Sequence, residues 1–222
     1  MHEWHIYPDF TEASKQTAEF LAEKIQHVID EKGACHIILP GGNTPAESLG
    51  YLATKSLDWD KIHWYLGDER CLPSLDPERN DLMLYNNLWS KIGSTHIYRI
   101  PTELGAKEAA AIYRNVIKDI ERFDIAYLGM GEDGHTASLF PQHEALDDHR
   151  SVIPVSHSPK PPSDRVSLSL VTLSKAKIKI VLVSGQNKAG VIKRIKEGES
   201  LPVNRIGDIN WFIDEAANTT EI

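Results

Sequence analysis

The sequence predicts an α/β fold with three layers, in which helices cover both faces of a mainly parallel, Rossmann-like sheet. Two observations lead to this prediction. Short apolar runs of strand length alternate with longer segments whose apolar residues recur at helical spacing. Turns that contain glycine and proline separate the two kinds of segment. This alternation is typical of repeated strand-helix-strand units, which build a parallel sheet.

The first two strand-helix units lie near the N-terminus. A strand over residues 4–7 precedes a helix that ends at Gly33, a residue type common at helix C-termini. The apolar residues of this helix have helical spacing: Ala18, Leu21, Ala22, Ile25, Val28 and Ile29. A second strand over residues 36–39 leads through a glycine turn into a helix that Thr44 caps and Pro45 opens.

The alternation continues through the rest of the chain. Further strands are predicted at residues 62–66, 97–100, 123–128, 152–155, 166–170 and 178–183. Further helices are predicted within residues 81–92 and at residues 106–120 and 188–196. Because ligands bind at the carboxyl ends of the strands in such sheets, the residues that follow a strand are the candidates for a functional site.

The composition predicts a single domain, residues 1–222, that is soluble and cytoplasmic. A chain of 222 residues with 41% hydrophobic content can bury its core without disulfides or metals. It contains no apolar run of about eighteen residues, and Met1-His2-Glu3-Trp4 does not begin a signal peptide. The net charge of −8 argues against nucleic acids and anionic membranes as partners, whereas an anionic small molecule needs only a local cluster of cations. The sequence does not distinguish a monomer from a small homo-oligomer.

Three polar segments directly follow predicted strands: residues 40–45, 67–73 and 129–141. Their position places them at one edge of the sheet. In the first segment, glycines permit close backbone approach, and the amides of Gly42, Asn43 and Thr44 can bind a phosphate at a helix start. The segment by itself is equally consistent with an ordinary tight turn between a strand and a helix.

The second segment places Asp68, Glu69 and Arg70 at the end of a strand. The planar guanidinium of Arg70 can bind a carboxylate, a phosphate or a developing oxyanion. The alternative is a solvated loop with a surface ion pair between Asp68 and Arg70. The segment by itself favours this alternative.

The third segment contains Asp133 two residues before His135 in a glycine-rich turn. Histidine is the usual general base, and a nearby carboxylate can orient its ring. The segment also matches G-x-G-x-x-G, but the acidic residues that follow come too early for nicotinamide binding. Two more basic residues are candidates for an anion site: Arg165 at the start of the predicted strand 166–170, and Lys188 after the turn that ends the strand 178–183. The alternative is that each is an ordinary surface charge. No histidines or cysteines have metal-ligand spacing, so no metal is predicted.

Taken together, these segments resemble the 6-phosphogluconolactonase family, part of a wider group with the glucosamine-6-phosphate deaminases. The resemblance covers nearly the whole chain. It rests on Pro40-Gly41-Gly42-Asn43-Thr44-Pro45, Trp64 to Pro73 with Asn80 after it, Gly129 to Pro141, Arg165 to Leu170, and Ser184 to Lys188. It implies the deaminase-like αβα fold. It also implies hydrolysis of 6-phospho-D-glucono-1,5-lactone to 6-phospho-D-gluconate in the oxidative pentose phosphate pathway, without a cofactor.

The resemblance also implies roles for individual residues. His135 matches the general base, Asp133 the residue paired with it, and Arg70 an active-site arginine. Six residues match positions around the substrate and its phosphate: Gly41, Gly42, Asn43, Thr44, Arg165 and Lys188. The chain departs from the family pattern at Pro40, Asn43 and Gln142. The family commonly has serine at the first two positions and glycine at the third.

Two alternatives come from the same wider group. Deaminases typically carry Asn-Glu-Pro where this chain has Leu139-Phe140-Pro141, and Asp-Glu-Tyr where it has Asp68-Glu69-Arg70. Both differences favour the lactonase. A non-catalytic sugar-phosphate sensor would usually add a DNA-binding helical module, and none is visible in the 222 residues. A degenerate enzyme that only binds a sugar phosphate stays open.

Overall fold

The computed structural model describes residues 1–219 and is built around a parallel sheet. Within these residues the strands are β1 (Glu3–Tyr7), β2 (Cys35–Leu39), β3 (Ile62–Leu66), β4 (Asp68–Arg70), β5 (Ile97–Tyr98), β6 (Ile125–Leu128), β7 (Val152–Val155), β8 (Arg165–Leu168), β9 (Ile178–Val183) and β10 (Asn210–Asp214). Seven of them form one sheet in the order β1-β10-β9-β6-β2-β3-β5, and every neighbouring pair is parallel. The remaining three form a small antiparallel sheet in the order β4-β8-β7.

Helices flank the parallel sheet and complete the three layers. In the described residues the α-helices are α1 (Phe10–Lys32), α2 (Thr44–Leu52), α3 (Asn80–Leu84), α4 (Ser90–Ile92), α5 (Ala106–Val116), α6 (Leu170–Lys175), α7 (Ala189–Lys196) and α8 (Glu215–Asn218). A π-helical turn, Tyr85–Trp89, joins α3 to α4. The predicted fold class, a three-layer αβα architecture with a mainly parallel sheet, is confirmed.

Helix α1 shows how local sequence sets the elements. The side chain of Asp9 accepts the backbone N–H of Glu12 at 2.8 Å and caps the N-terminus. Gly33, with φ +84°, ends the helix in the left-handed region, as predicted. Between these ends, residues at helical spacing, such as Leu21 and Ile25, are fully buried in the core.

Some elements differ from the sequence prediction. Strand β10 and helix α8 were not predicted, although β10 pairs with β1 and β9 inside the sheet. The predicted strand 166–170 ends at Leu168, because Ser169 caps α6 by accepting the N–H of Thr172 at 3.2 Å. No helix among residues 1–219 is long and apolar enough to cross a membrane.

Gln142 adopts a backbone conformation that favours glycine, the residue common at this position in the family. Its φ is +60°, which costs an L-residue about 1–2 kcal/mol. A glycine in turn lowers the free energy of unfolding by about 0.5–1 kcal/mol, because it gives the unfolded chain more conformational freedom. We therefore expect Gln142→Gly to raise the free energy of unfolding by roughly 0.5–1 kcal/mol in urea titrations. Gln142→Ala keeps the β-carbon and is the control; equal stability of the Ala and Gly variants would contradict the expectation.

Candidate active site

The three polar segments meet at one cavity at the carboxyl edge of the parallel sheet. The cavity has a volume of about 460 Å³ and is lined by residues from the ends of β2, β3, β6 and β9. Eight of the nine predicted site residues line it: Gly41, Gly42, Asn43, Thr44, Arg70, His135, Arg165 and Lys188. The ninth, Asp133, contacts the ring of His135. Within residues 1–219, no group of three or more His, Cys, Asp or Glu side chains is arranged to hold a metal ion.

His135 follows β6, and Asp133 holds its ring in place. Oδ1 of Asp133 lies 2.6 Å from Nδ1 of His135 and accepts the backbone N–H of the same residue at 3.1 Å. Burial raises the pKa of the Asp133 carboxyl, but the hydrogen bonds and charge of His135 outweigh burial, and the resulting pKa is well below its usual range. An ionised carboxylate pairs with a protonated Nδ1, which leaves Nε2 of His135 as the basic nitrogen.

The turn that carries His135 depends on a glycine at position 131. A β-carbon there would lie 2.0 Å from Nδ1 of His135 and 2.7 Å from Oδ1 of Asp133. The N–H of Gly131 donates to the carbonyl of His135 at 2.9 Å and closes the turn. The fully buried ring of Phe140 packs on the ring of His135 with 4.5 Å between centroids. The orientation of the imidazole is therefore set by backbone, carboxylate and aromatic contacts together.

The turn between β2 and α2 presents backbone amides to the cavity. Gly42 has φ +87°, and a β-carbon at Gly41 would lie 1.9 Å from Oδ1 of Asn80. The prediction that Thr44 caps α2 is wrong, because Asn43 occupies the N-cap position. The backbone of Asn43 is already helical, and its side chain makes no capping hydrogen bond. Pro45 has no N–H, and the N–H of Ala46 donates to the carbonyl of Asn43 at 3.2 Å. Among residues 1–219 no hydrogen bond is found from the backbone N–H groups of Gly42, Asn43 and Thr44, so these amides can bind an anion.

Arg70 lies on β4, where its neighbours contradict the alternative of a solvated loop. Asp68 and Glu69 are only 6% and 0% exposed. Asp68 accepts the hydroxyl of Ser138 at 2.6 Å instead of pairing with Arg70. Nη1 of Arg70 donates to the carbonyl of Glu78 at 2.6 Å, and its buried Nε has no hydrogen-bond partner among residues 1–219. Arg70 lines the cavity, and no carboxylate among residues 1–219 forms an ion pair with it.

Glu69 belongs to this site, although its role was not predicted from the sequence. Its Oε1 accepts the N–H groups of Arg70 and Asn80, and its Oε2 accepts that of Asp81, each at 2.8 Å. Asn80 in turn packs against Gly41. Glu69 therefore connects the strand that carries Arg70 to the turn before α2. A run of three charged residues usually indicates exposure, so nothing in the local sequence signalled this burial.

We expect Glu69→Gln to change how stability depends on pH. Burial is the largest influence on the Glu69 carboxyl, and it raises the pKa from 4.5 to about 7 despite the opposing backbone hydrogen bonds. A group whose pKa rises on folding stabilises the fold fully below its unfolded value, and this contribution is lost as pH rises through the folded value. Relative to Glu69→Gln, the wild type should therefore lose roughly 3 kcal/mol of unfolding free energy between about pH 4 and pH 8.

Urea unfolding of both proteins across this pH range measures the effect. The exposed residue Glu121 provides the matched control, because Glu121→Gln removes the same charge without a buried site. The stability of Glu121→Gln should follow that of the wild type at every pH. A difference between the wild type and Glu69→Gln that does not vary with pH would contradict the assignment.

Lys188 and Arg165 lie beside the cavity in different surroundings. Nζ of Lys188 donates to the carbonyl of Met130 at 2.8 Å, and burial, the largest influence, lowers the pKa of its ammonium group. Arg165 is 4% exposed, and its Nε and Nη2 donate to the carbonyls of residues 160–162 at 2.9–3.2 Å. Most of the hydrogen-bonding capacity of Arg165 thus goes to the loop that precedes β8.

The similarity of the sequence and the fold to known proteins identifies the family. The family model described as glucosamine-6-phosphate isomerases/6-phosphogluconolactonase matches residues 8–212. The chain belongs to this family. It is 31% identical to the probable 6-phosphogluconolactonase 1 of Arabidopsis thaliana, over 98% of this chain and 92% of that protein. The crystal structure of 6-phosphogluconolactonase from Thermotoga maritima aligns with a TM-score of 0.91 at 26% identity, over 97% of this chain and 100% of the other.

The same fold also carries a different chemistry in another protein. The structure of a monomeric glucosamine-6-phosphate deaminase aligns with a TM-score of 0.84 at 20% identity, over 97% of this chain and 98% of the other. Identity this low shows a shared fold alone. Family membership confirms the resemblance predicted from the sequence, whereas the choice between the chemistries depends on the side chains of the site.

Proposed function

We propose that residues 1–222 form one catalytic domain that hydrolyses 6-phospho-D-glucono-1,5-lactone to 6-phospho-D-gluconate. The proposed reaction takes place in the cytoplasm, needs no cofactor and is a step of the oxidative pentose phosphate pathway. The observation that carries the proposal is the pair of His135 and Asp133 at a cavity that Arg70 and Lys188 also line. A basic nitrogen beside cationic groups suits water attack on an anionic substrate. The names of the relatives support the same substrate.

The reaction needs a base, a site for the oxyanion and an acid for the leaving oxygen. Nε2 of His135 takes a proton from water as the water oxygen bonds to C1 of the lactone. Arg70 and backbone amides stabilise the negative charge that gathers on the carbonyl oxygen. When the bond from C1 to the ring oxygen breaks, the imidazolium returns its proton to that oxygen. Asp133 stabilises the imidazolium between these two steps.

The phosphate is held at the start of α2 and by the nearby cations. The proposed contacts come from Gly41, Gly42, Asn43, Thr44, Arg165 and Lys188. Amides at a helix N-terminus bind anions directly, and the helix dipole adds to the attraction. Asn43 offers a side-chain amide where the family commonly has a hydroxyl, so a polar contact is kept at this position.

Phe140 supports the lactonase over the deaminase. Its ring is fully buried and packs on that of His135, in the segment where deaminases typically carry a glutamate. An aromatic ring supplies neither a proton nor a negative charge to the amino-sugar chemistry. Among residues 1–219, Asp133 is the one carboxylate that pairs with His135, and this arrangement suits a general base for water.

A substrate panel on one preparation tests the proposal. We expect acid release from freshly generated 6-phosphogluconolactone in proportion to protein concentration, after subtraction of the uncatalysed rate. We expect no ammonia from glucosamine 6-phosphate. Ammonia release without lactone hydrolysis would replace the proposal with a deaminase. Tight binding of 6-phosphogluconate without turnover of either substrate would replace it with a sugar-phosphate sensor.

A further inference from the structure

The loop between β7 and β8 borders the cavity through Lys160 and Pro161. Arg165 holds the backbone of this loop. Its Nη2 donates to the carbonyls of Lys160 and Pro161 at 3.1 and 2.9 Å, and its Nε donates to that of Pro162 at 3.2 Å. The hydroxyl of Ser158 donates to the carbonyl of Lys160 at 2.8 Å. Two donors thus fix the backbone from which the side chain of Lys160 extends.

Arg165 uses three of its N–H donors on the loop, whereas Lys160 carries its charge on an exposed side chain. Arg165 is 4% exposed, and the carbon of its guanidinium lies 5.4 Å from the centre of the Phe140 ring. The side chain of Lys160 is exposed and has no salt-bridge partner among residues 1–219. Of the two cations on this side of the cavity, Lys160 is therefore the more exposed.

The charge of Lys160 shifts the pKa values of both Asp133 and Lys188. Burial, the largest influence on both groups, raises the pKa of the Asp133 carboxyl and lowers the pKa of the Lys188 ammonium group. The charge of Lys160 lowers both pKa values. Lys160 and Lys188 line the same cavity and repel each other. An anion bound by both ammonium groups would remove this repulsion and make two charge-assisted hydrogen bonds.

We propose that Lys160 is a phosphate-binding residue, held by Arg165 so that its ammonium group and that of Lys188 bind the same phosphate monoester. In this arrangement Arg165 positions Lys160, in addition to its own proposed contact with the phosphate. The identity of the phosphate ester as a sugar lactone rests on the proposed function. The presence of the anion site does not rest on the proposed function. Phosphate binding and lactone hydrolysis can therefore be tested separately.

Two substitutions at Lys160 and one control test the inference. Lys160→Met removes the charge and keeps the length of the side chain, whereas Lys160→Arg keeps the charge. The control is Lys118→Met, which changes an exposed lysine beyond the end of α5. Binding of inorganic phosphate is measured by calorimetry on the whole protein, and KM and kcat are measured with the phosphorylated lactone. Losing a hydrogen bond between charged groups corresponds to roughly 10- to 100-fold in affinity.

We expect Lys160→Met to raise the Kd for phosphate and the KM for the lactone by about 10- to 100-fold, with kcat within about threefold of the wild type. Lys160→Arg and Lys118→Met should stay within about threefold in all three quantities. A fall in kcat with an unchanged phosphate Kd would overturn the inference, because it would place Lys160 at the reacting carbonyl. Equal phosphate affinity in wild type and Lys160→Met, or binding by neither, would also overturn it. Phosphate binding that depends on Lys160, in a protein that hydrolyses no lactone, would retain this inference and reject the proposed function.

Discussion

Replacing His135 by glutamine is expected to lower kcat for the lactone by about 10²- to 10⁴-fold, with little change in KM. Glutamine is similar in size and polarity to histidine but has no basic nitrogen. Water then attacks C1 without a base, and the ring oxygen leaves without a proton from the imidazolium. KM should change little because none of the proposed phosphate contacts involves the imidazole. The loss should therefore be confined to the chemical step.

Steady-state kinetics on freshly generated lactone measure this effect, with the uncatalysed rate subtracted. His149 is an exposed histidine outside the cavity, so His149→Gln should keep wild-type kcat and KM. Circular dichroism of both variants checks that each keeps the fold. Full turnover by His135→Gln would reject the assignment of the base.

Replacing Arg70 by methionine is expected to lower kcat by about 10²- to 10³-fold. The guanidinium is bound to the carbonyl of Glu78 at 2.6 Å, and its buried Nε has no partner among the residues that the structure describes. A donor held in place without a carboxylate partner can stabilise an oxyanion with little rearrangement. Methionine fills a similar volume and removes both the charge and the donors.

Two comparisons sharpen the prediction for Arg70. Arg70→Lys should recover only part of the loss, because an ammonium group lacks the planar fork of the guanidinium. Arg122→Met, at an exposed arginine outside the cavity lining, should leave kcat unchanged. If Arg70→Met raised KM and left kcat intact, Arg70 would bind the substrate without stabilising the oxyanion.

The order of elements was largely visible in the sequence, because hydrophobic period and turn chemistry are local. The strands at residues 62–66 and 178–183 occupy the predicted positions, and α1 ends at Gly33 as expected. Strand β10 was missed because its apolar core, Trp211-Phe212-Ile213, is too short to show a period. Its place between β1 and β9 is decided by tertiary packing, which no local pattern contains.

The candidate site was predictable only in part, for a related reason. His135 and Arg70 stood out because each follows an apolar strand, and the ends of parallel strands share one edge of the sheet. The roles of Glu69 and Lys160 were not predicted. The role of Glu69 depends on partners distant in sequence, and that of Lys160 depends on the conformation of its loop. Glu69 is buried against the start of α3, where it accepts the N–H groups of Asn80 and Asp81. The position of Lys160 depends on the hydrogen bonds from Arg165 to its loop.

The most direct test is the initial rate of acid release from freshly generated 6-phosphogluconolactone at increasing concentrations of the wild-type protein. The uncatalysed rate, taken without protein, is the intercept. The proposed mechanism predicts a rate that rises linearly with protein concentration, and a slope about 10²- to 10⁴-fold smaller for His135→Gln. A wild-type slope of zero, or equal slopes for the two proteins, would contradict it.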